Sequence, residues 1–195
     1  MVSSMVRVAQ RSQLTVEEYL AWERDQPVRH EFFHGEVFAM ADGSMRHNAL
    51  CASVIEVLRA QLRGRCVVLT SDQRVVAARR ERYVYPDISV VCGPVLVEPG
   101  TSDVLANPTM IVEVLSSSTE QYDRGLKWEG YQRIESMTDY VLVSQAEPRI
   151  EHFRRERTRT WLYQFAAAGE RLVLSNDAVL DVDAIFAGML ELSGD

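Results

Sequence analysis

The sequence predicts an α/β fold in which a central mixed β-sheet is flanked by helices and preceded by an N-terminal helix and a β-hairpin. Three observations support it: an apolar stripe at helical spacing between Ser44 and Leu62, a series of Val- and Ile-rich runs after it, and a second helical segment that leads into further strand-like runs. This order of helices and strands along the chain is typical of an α/β sandwich. The sequence has neither a GxGxxG motif nor a P-loop that would favour a doubly wound nucleotide-binding sheet.

The N-terminal region is predicted to hold a short helix and a hairpin. The segment Thr15 to Glu18 has the spacing of a capping box, so a helix should begin there. Between His30 and Met40, two runs of aromatic and apolar residues flank His34-Gly35, and glycine permits the positive φ of a tight turn. Residues 1–13 show no periodicity and are expected to be a flexible tail. Residues 14–195 are then expected to form a single domain.

A long helix and four strand-like runs follow the hairpin. The helix, from Ser44 to about Leu62, has one stripe of apolar side chains at three- and four-residue steps, which includes His47 and Cys51. The runs after it are rich in Val and Ile and are separated by polar or Gly- and Pro-containing segments, so together they predict the central sheet. These runs are Cys66 to Leu69, Gln73 to Ala77, Tyr83 to Cys92 and Met110 to Leu115.

The remainder of the chain is predicted to add a helix and then more strands. The helix is expected to begin near Ser118 or Thr119 and to continue to about Ile134. The residues from Gly93 to Pro108 are interpreted as a surface loop between two strands. Further strands are expected at Tyr140 to Val143, Ile150 to Arg154 and Trp161 to Phe165.

The composition is that of a globular protein. With 195 residues, of which 47% are hydrophobic and 25% charged, the chain is long enough to bury one substantial core. Its N-terminal stretch shows no apolar run long enough for a signal peptide, and we find no apolar stretch of the roughly 18 residues that a membrane helix requires. The three cysteines, Cys51, Cys66 and Cys92, lack CxxC spacing and are expected to be reduced, buried thiols. We therefore expect a soluble cytoplasmic protein with no membrane association.

The net charge of the chain weighs against a nucleic-acid partner without excluding one. The charge is −7 and the pI about 5.2, whereas phosphate contacts are normally made by an excess of Lys and Arg. A metal-dependent nuclease, however, must itself concentrate carboxylates, and a basic face can coexist with an acidic total. One predicted hairpin is rich in arginine and could form such a face or could simply be solvated. Its arginines are Arg149, Arg154, Arg155, Arg157 and Arg159.

Two carboxylates stand where strands usually hold apolar residues. Asp87 opens the strand after Pro86, and Glu113 lies within the apolar run Met110 to Leu115. A buried ionised carboxylate is costly unless a cation, a hydrogen-bond network or a metal compensates its charge. Mg²⁺ is a natural partner because it prefers oxygen ligands and also binds substrate phosphates. The sequence therefore indicates a metal site at Asp87 and Glu113.

Each carboxylate also has a purely structural interpretation. Asp87 could cap a turn after Pro86, and Glu113 could face solvent on a half-exposed strand. The second alternative is weakened because Ile111, Glu113 and Leu115 share one face of the strand, so two large apolar side chains would then be exposed beside the glutamate.

Several segments resemble, in the same order, the Uma-type restriction endonuclease family, a domain of unknown function within the PD-(D/E)XK nuclease superfamily. They are LTVEEYLAWE, RHEFFHGEVFAM, MRHNAL, YPDISVVC, PTMIVEVLSSST, YDRGLKWEGYQRI, TDYVLVSQ and VLDVDAIFAGML. The resemblance covers most of the chain. It implies a restriction-endonuclease-like core in which Asp87 and Glu113 bind Mg²⁺ or Mn²⁺ and a lysine orients or activates the attacking water.

The chain departs from the superfamily pattern at that lysine. Leu115 occupies the position two residues after the glutamate, where the lysine is expected. Lys127, on the next predicted helix, is the natural substitute and is the only lysine in the chain. Its ammonium could stabilise developing charge on the phosphate, although a solvated helix lysine is the simpler alternative. Asp123 and Tyr131 lie one turn away on the same helical face and are candidates for orienting it.

Three further residues are candidates for the same site. Glu31 in the hairpin resembles an early glutamate of the family and could complete the metal shell. Glu36, just past the turn, is a weaker candidate, since a polar residue there needs no special explanation. His47, on the apolar stripe of the long helix, could reach phosphate, act as an acid or be structural.

The predicted function is hydrolysis of phosphodiester bonds by a Mg²⁺-dependent endonuclease that acts through metal-activated water, with DNA as the expected substrate. A homodimer is expected because two active sites are needed to cut both strands of a duplex. The alternative is a nuclease-like fold with weakened catalysis that binds nucleic acid or a protein, as Leu115 and the negative charge suggest. A hydrolase of small phosphodiesters is a third possibility.

Overall fold

The computed structural model describes residues 13–40, 42–78 and 80–189. The predicted N-terminal tail therefore lies outside the described residues, apart from Gln13. In chain order the elements up to the second carboxylate are α1 (Val16–Glu23), β1 (His30–Phe33), β2 (Glu36–Ala39), α2 (Met45–Leu62), β3 (Cys66–Thr70), β4 (Arg74–Ala77), β5 (Arg82–Val84), β6 (Ile88–Cys92), β7 (Val104–Leu105) and β8 (Met110–Leu115).

As far as residue 189, the second half of the chain contains one segmented helix, five strands and a short last helix. The segmented helix consists of α3 (Glu120–Tyr122), a π-helical turn (Asp123–Lys127) and α4 (Trp128–Tyr131). After it come β9 (Asp139–Ser144), β10 (Arg149–Arg157), β11 (Thr160–Ala167), β12 (Arg171–Val173), β13 (Val179–Asp181) and α5 (Val182–Phe186). In the part of the chain that the structure describes, no helix is both long and apolar enough to cross a membrane.

A six-stranded mixed sheet with the order β11-β10-β9-β8-β6-β3 forms the centre of the fold. β6 runs antiparallel to both of its neighbours, β3 and β8, whereas β9 runs parallel to β8. The parallel pair requires a crossover, which the segmented helix provides. These elements follow one another as a helix, three strands, a helix and a strand. They form the restriction-endonuclease-like α/β core that the sequence predicts.

Each face of this sheet is covered by a separate layer. On one face the buried stripe of α2 packs on alternate residues of the strands, which include Ile88 and Val112. On the other face Ile111 and Leu115 pack with Tyr131 of α4. Because successive strand residues point to opposite faces, the two cores are built from alternating positions of the same strands. The residues that reach from α2 to the sheet are Leu50, Val54, Leu58 and Leu62.

The predicted run Tyr83 to Cys92 is wrong as a single strand, because it divides between two sheets. Arg82–Val84 form β5 in a five-stranded sheet of order β2-β1-β5-β4-β7, whereas Ile88–Cys92 form β6 in the central sheet. The break falls at Tyr85-Pro86-Asp87, where proline cannot donate a hydrogen bond to a strand ladder. The chain changes sheets here, and Asp87 thereby lies at the start of a central strand.

The predicted helix start at Thr15 and the predicted hairpin are confirmed. Thr15 and Glu18 make the reciprocal hydrogen bonds of a capping box at the start of α1. β1 and β2 form an antiparallel hairpin, and its turn residues His34 and Gly35 have φ values of 48° and 88°. Glycine is well suited to such a turn, because it has no Cβ to oppose a positive φ.

Two other sequence predictions need correction. The segment from Gly93 to Pro108 is not wholly a loop, because β7 within it pairs in parallel with β4. The second helix ends at Tyr131 and not near Ile134, and the π-helical turn interrupts it. The sequence did not predict β12, β13 or α5, whose segments are short.

The prediction of three reduced thiols is wrong for two of the cysteines. Cys66 and Cys92 are register partners on the antiparallel strands β3 and β6, with Cα atoms 4.1 Å apart, and they form a disulfide. They are 26 residues apart in sequence, so only the strand register brings them together. Cys51 is a free thiol. One of the observations behind the expected cytoplasmic location is thereby lost.

Titration of the unfolded protein with a thiol reagent checks this disulfide. Without reductant we expect one reactive thiol per chain, that of Cys51. After reduction we expect three, the number of cysteines in the sequence. Three thiols before reduction would contradict the bond.

Candidate functional site

The register of β6 and β8 places Asp87 opposite Glu113. Ile88 pairs with Val112, so the next pair along the two antiparallel strands is Asp87 with Glu113. The backbone N–H of Asp87 donates to Oε2 of Glu113 over 3.4 Å. The structure therefore brings together the two carboxylates that the sequence singled out.

Contacts from two other elements hold the Asp87 carboxylate. The backbone N–H of Val114 donates to Oδ2 over 2.7 Å. Nε2 of His47, in the first turn of α2, lies 3.2 Å from Oδ1. The side chain of Asp87 keeps 13% of its surface exposed, so its carboxylate remains within reach of a small ligand.

The Glu113 carboxylate is buried and accepts hydrogen bonds from the segmented helix. Nζ of Lys127 donates to Oε1 over 3.1 Å, and the hydroxyl of Tyr131 donates to the same oxygen over 2.8 Å. Ile111 and Leu115, on the same face of β8, are buried as well. The solvent-facing alternative for Glu113 is therefore excluded.

Lys127 reaches the site from the last position of the π-helical turn. Its ammonium lies 3.2 Å from Oδ1 of Asp123 and 3.5 Å from Oε1 of Glu31, in addition to its contact with Glu113. Single π-helical turns within α-helices occur frequently at functional sites. The alternative of a solvated lysine is wrong, because the side chain is only 8% exposed.

Glu31 enters the site from the five-stranded sheet. The hydroxyl of Tyr122 donates to its Oε2 over 2.8 Å, and the backbone N–H of Tyr85 donates to its Oε1 over 3.4 Å. The glutamate is buried, like the lysine that it faces. The hairpin and the segmented helix therefore meet at this ion pair.

Acidic groups outnumber basic groups in this cluster. Burial raises the pKa of Glu113 well above its ordinary value, and Asp123 and Asp87 add to the rise while Lys127 opposes it. Burial alone would lower the pKa of Lys127, but the surrounding carboxylates outweigh it and hold that pKa well above its ordinary value. The ammonium is thus charged and shared among several carboxylates.

The surplus of negative charge fits a hard divalent cation. Asp87, Glu113 and Glu31 offer carboxylate oxygens, the ligands that Mg²⁺ prefers. Within the described part of the chain, the buried Oδ1 of Asp123 accepts no hydrogen bond, although it forms an ion pair with Lys127. Buried carboxylates without full compensation are costly, and a cation offsets this cost.

Most candidate residues from the sequence lie in one cluster. Asp123 and Tyr131 flank Lys127 as predicted, and His47 contacts Asp87. Glu36, in contrast, lies at the exposed start of β2, in register with Phe33 on the hairpin.

Sequence reasoning missed the contacts that Tyr122 and Cys51 make with the clustered residues. Tyr122 is five residues before Lys127, a spacing that the regular α-helical pattern does not place on one face, and the π-helical turn changes that pattern. Cys51 follows His47 by one helical turn, a spacing that could have signalled a shared site. Its Sγ lies 3.5 Å from Nε2 of His47.

The arginine-rich hairpin of β10 and β11 makes contacts within the protein. Arg155 donates to the backbone carbonyl groups of Gln132 and Ile134, each over 2.9 Å. Arg149 and Arg154 form ion pairs with glutamates on their own strand. The hairpin thus supports the end of the segmented helix.

Comparison with known families identifies this arrangement. The family model Uma2, described as putative restriction endonuclease, matches residues 16–187, which include all of the clustered residues. The chain belongs to the Uma2 family. The resemblance seen in the sequence is thereby confirmed, and the described family activity is that of a nuclease.

Two relatives of this Uma2 chain come from Synechocystis. The uncharacterized protein slr1290 of Synechocystis is 34% identical over 178 residues, which cover 90% of this chain and 93% of the relative. The uncharacterized protein sll1609 of the same organism is 32% identical over 159 residues, covering 81% and 90% respectively.

A solved structure shares the fold. The crystal structure of a putative nuclease belonging to DUF820 from Anabaena variabilis superposes with a TM-score of 0.73, covering 90% of this chain and 99% of the other. At 14% sequence identity this likeness shows the fold alone. The Uma2 chain thus has the α/β architecture of that protein.

Proposed function

We propose that this protein is a Mg²⁺-dependent endonuclease that hydrolyses phosphodiester bonds in DNA. The observation that carries the proposal is the contact between Asp87, just before β6, and Glu113 of β8: the Asp87 N–H donates to Oε2 of Glu113, and Nζ of Lys127 lies 3.1 Å from Oε1 of the same side chain. Family membership supports the nuclease class. The ion, the substrate and the roles of individual residues are parts of the proposal.

Asp87 and Glu113 would hold the cation, and Glu31 would complete its shell or serve a second position. A bound Mg²⁺ or Mn²⁺ supplies Lewis acidity toward a phosphoryl oxygen and lowers the pKa of water. The protein would hold the carboxylates in position before the cation binds, so that cation binding does not have to order them. The Val114 N–H does this for Asp87, and the Tyr131 hydroxyl does it for Glu113.

Lys127 would act on the phosphate that undergoes attack. An ammonium fixed before the reaction stabilises negative charge that develops on phosphoryl oxygens, and it does so more strongly in a partly dehydrated site than in water. The position two residues after Glu113 offers no charge for this purpose, because Leu115 occupies it and is buried in the apolar core. The helix therefore provides the amine that the strand lacks.

The two tyrosines would keep the acidic groups oriented. Burial and the adjacent Glu113 raise the pKa of Tyr131 well above its ordinary value, so its hydroxyl is protonated and donates. Burial and Glu31 do the same for Tyr122. Groups that hydrogen-bond to metal ligands in this way keep the ligands oriented, and their loss typically lowers metal affinity or activity by about 10- to 100-fold.

Cleavage assays with isosteric variants test the proposal. Plasmid, single-stranded DNA and RNA are incubated with Mg²⁺, Mn²⁺ or a chelator, and we expect DNA cleavage only with metal. We expect Asp87→Asn and Glu113→Gln to lower the rate by at least about 100-fold, the upper end of the loss from an outer partner of a metal ligand.

Glu129→Gln is the matched control for this assay. Glu129 lies in α4 close to Lys127, but its side chain is 54% exposed and pairs with Arg133 on the surface and, over 3.7 Å, with Arg82, outside the carboxylate cluster. We expect this variant to cleave at the wild-type rate. Cleavage that persists in both Asp87→Asn and Glu113→Gln would refute the proposed site.

A second candidate is a nuclease-like fold that has lost efficient catalysis and binds nucleic acid or a protein, as Leu115 in place of lysine suggests. Calorimetry separates the two. Millimolar Mg²⁺ or Mn²⁺ binding that is lost in Glu113→Gln supports the enzyme, whereas the lack of any binding supports the second candidate. Cleavage of short diester substrates but not of plasmid would point instead to a small-molecule hydrolase.

A homodimer is part of the nuclease proposal, because one active site cuts one strand and a duplex has two. Sedimentation of the full chain, with and without a DNA duplex, tests this part separately. A monomer that makes double-strand breaks at a rate independent of protein concentration would contradict it.

A further inference from the structure

His47, Cys51 and Asp87 form a second group of potential metal ligands beside the carboxylate cluster. One ligand atom from each residue lies within 4.8 Å of the other two. His47 and Cys51 are four residues apart on α2, so they project from the same face of the helix. That face meets the start of β6, where Asp87 lies. All three side chains are partly exposed, so an ion can reach them.

We propose that His47, Cys51 and Asp87 form a binding site for a thiophilic divalent cation of the Zn²⁺ class. The site is distinct in its chemistry from the magnesium site proposed above, because it contains sulfur and nitrogen ligands. It shares only Asp87 with that site.

The two distances from His47 to the other proposed ligand atoms fit a tetrahedral metal. Nε2 of His47 is 3.2 Å from Oδ1 of Asp87 and 3.5 Å from Sγ of Cys51. In a tetrahedral zinc site with ordinary bond lengths, two ligand atoms are separated by roughly 3.3–3.6 Å. The side chains are thus already close to the spacing that a zinc ion would impose.

The types of ligand select the class of cation. Thiolate and imidazole favour Zn²⁺ and similar metals, whereas Mg²⁺ is held by oxygen atoms. Three protein ligands leave a fourth tetrahedral position open for water or another group. The site should therefore bind Zn²⁺ or Co²⁺ and discriminate strongly against Mg²⁺.

Neighbouring groups hold these ligands in place. The Val114 N–H fixes the second oxygen of Asp87, and Oγ of Ser44 accepts from the backbone N–H of His47 as the N-cap of α2. Nε2 of Gln145 lies 3.5 Å from Nδ1 of His47 and also donates to the carbonyl oxygen of Leu115. The ring is thereby contacted on the side opposite its proposed ligand atom. Such outer contacts orient metal-binding histidines.

Absorption spectroscopy with Co²⁺ as the probe tests the site directly. We expect one Co²⁺ per full-length chain and a thiolate-to-cobalt charge-transfer band, which Zn²⁺ abolishes and millimolar Mg²⁺ leaves unchanged. Cys51→Ser should remove the band and weaken Zn²⁺ binding by at least about tenfold. Losing a residue that only contacts a metal ligand typically weakens binding by that much, and Cys51 is proposed as a ligand itself.

Two control variants assign the band to Cys51. The double variant Cys66→Ser/Cys92→Ser leaves Cys51 as the only cysteine, and we expect it to keep the band. Glu113→Gln should also keep it, since Glu113 is not a ligand of this site. If Cys51→Ser does not fold, as judged by circular dichroism, His47→Gln replaces it and should weaken Zn²⁺ binding to the same degree.

Two results would overturn the proposal: no charge-transfer band in the wild-type protein, or a band that survives in Cys51→Ser and disappears in the double variant. The second result would assign the metal to the cysteines of a reduced disulfide.

One consequence rests on the proposed nuclease function. Because Asp87 belongs to both sites, bound Zn²⁺ should inhibit Mg²⁺-dependent cleavage, and Cys51→Ser should be less sensitive to Zn²⁺ relative to its own zinc-free rate. If no cleavage occurs with Mg²⁺ at all, the nuclease proposal fails, while the Co²⁺ spectrum still decides the zinc site.

Discussion

Replacing Lys127 with methionine should destabilise the protein by about 3–5 kcal/mol, the usual cost of removing one partner of a buried ion pair. The ammonium lies within 3.5 Å of carboxylate oxygens of Glu113, Asp123 and Glu31. Methionine has a similar length and is apolar, so packing is largely kept while the charge is lost. Urea unfolding in the presence of a chelator measures the change.

The same substitution should also lower activity. If Lys127 stabilises charge on the phosphate, its loss should reduce kcat by about 10²- to 10³-fold, as the removal of a fixed hydrogen-bond donor does in other enzymes. Added Mg²⁺ should recover part of the stability, because a cation that binds the folded state stabilises it by mass action. It should not recover the rate, since the amine is still absent.

Arg133→Met is the matched control for Lys127→Met. Arg133 follows the same helix, but its side chain is 51% exposed and its ion pairs with Glu81 and Glu129 lie on the surface. Exposed pairs contribute about 0–1 kcal/mol, so the variant should unfold near the wild-type urea concentration. Equal losses of stability in the two variants would show that the buried carboxylates do not depend on Lys127.

Replacing Asp139 with alanine should cost about 3–5 kcal/mol at neutral pH, again because a buried charged partner is removed. Its Oδ1 lies 2.7 Å from Nε2 of His152 and accepts from the backbone and hydroxyl of Ser175, each over 3.0 Å. Its Oδ2 accepts from the hydroxyl of Thr138 over 2.6 Å. These donors join β9, β10 and the segment before β13, so the carboxylate connects three parts of the fold.

The contribution of Asp139 should depend on pH. Burial acts to raise its pKa, but the hydrogen bonds from His152, Thr138 and Ser175 outweigh burial and hold the pKa below its ordinary value of 3.8. A carboxyl group with a lowered folded-state pKa stabilises the protein above its unfolded-state pKa, and this stability is lost as the pH falls through the folded-state value. The wild-type advantage over Asp139→Ala should therefore be full at neutral pH and should shrink below about pH 4.

Urea unfolding of both proteins across this range tests the pH dependence. Asp72→Ala is the control, because the Asp72 side chain is 81% exposed and its ion-pair partner, Arg29, is 45% exposed. Its stability should stay within about 0.5 kcal/mol of wild type at every pH, as is usual for surface substitutions. A difference between wild type and Asp139→Ala that grows as the pH falls would contradict the lowered pKa of Asp139.

The cluster around Lys127 also affects the stability of the folded protein when no metal is bound. Its buried carboxylates share one ammonium, an arrangement that is costly to hold in the folded state. Residues that serve a site are often not those that would maximise stability. The chemistry proposed above would account for the polar positions on β8 and the segmented helix.

The sequence by itself determined the local elements and the residues worth examining. The capping box at Thr15, the His34-Gly35 turn and the stripe of α2 are short-range patterns, and the structure confirms all three. Asp87 and Glu113 were visible as carboxylates in apolar surroundings, and Lys127 as the only lysine. Such features depend on neighbours in the chain, so periodicity and composition record them.

Only the tertiary structure decided which distant residues meet. The chain changes sheets at Tyr85-Pro86-Asp87, Cys66 bonds to Cys92, and Glu31 reaches Lys127 from the other sheet. The π-helical turn that places Tyr122 and Lys127 in one site has no pattern in the sequence. These contacts depend on strand register and on how sheets and helices pack, and a shift by one residue would turn each side chain to the opposite face. The sequence therefore identified the two strand carboxylates, and the fold assembled the rest of the site around them.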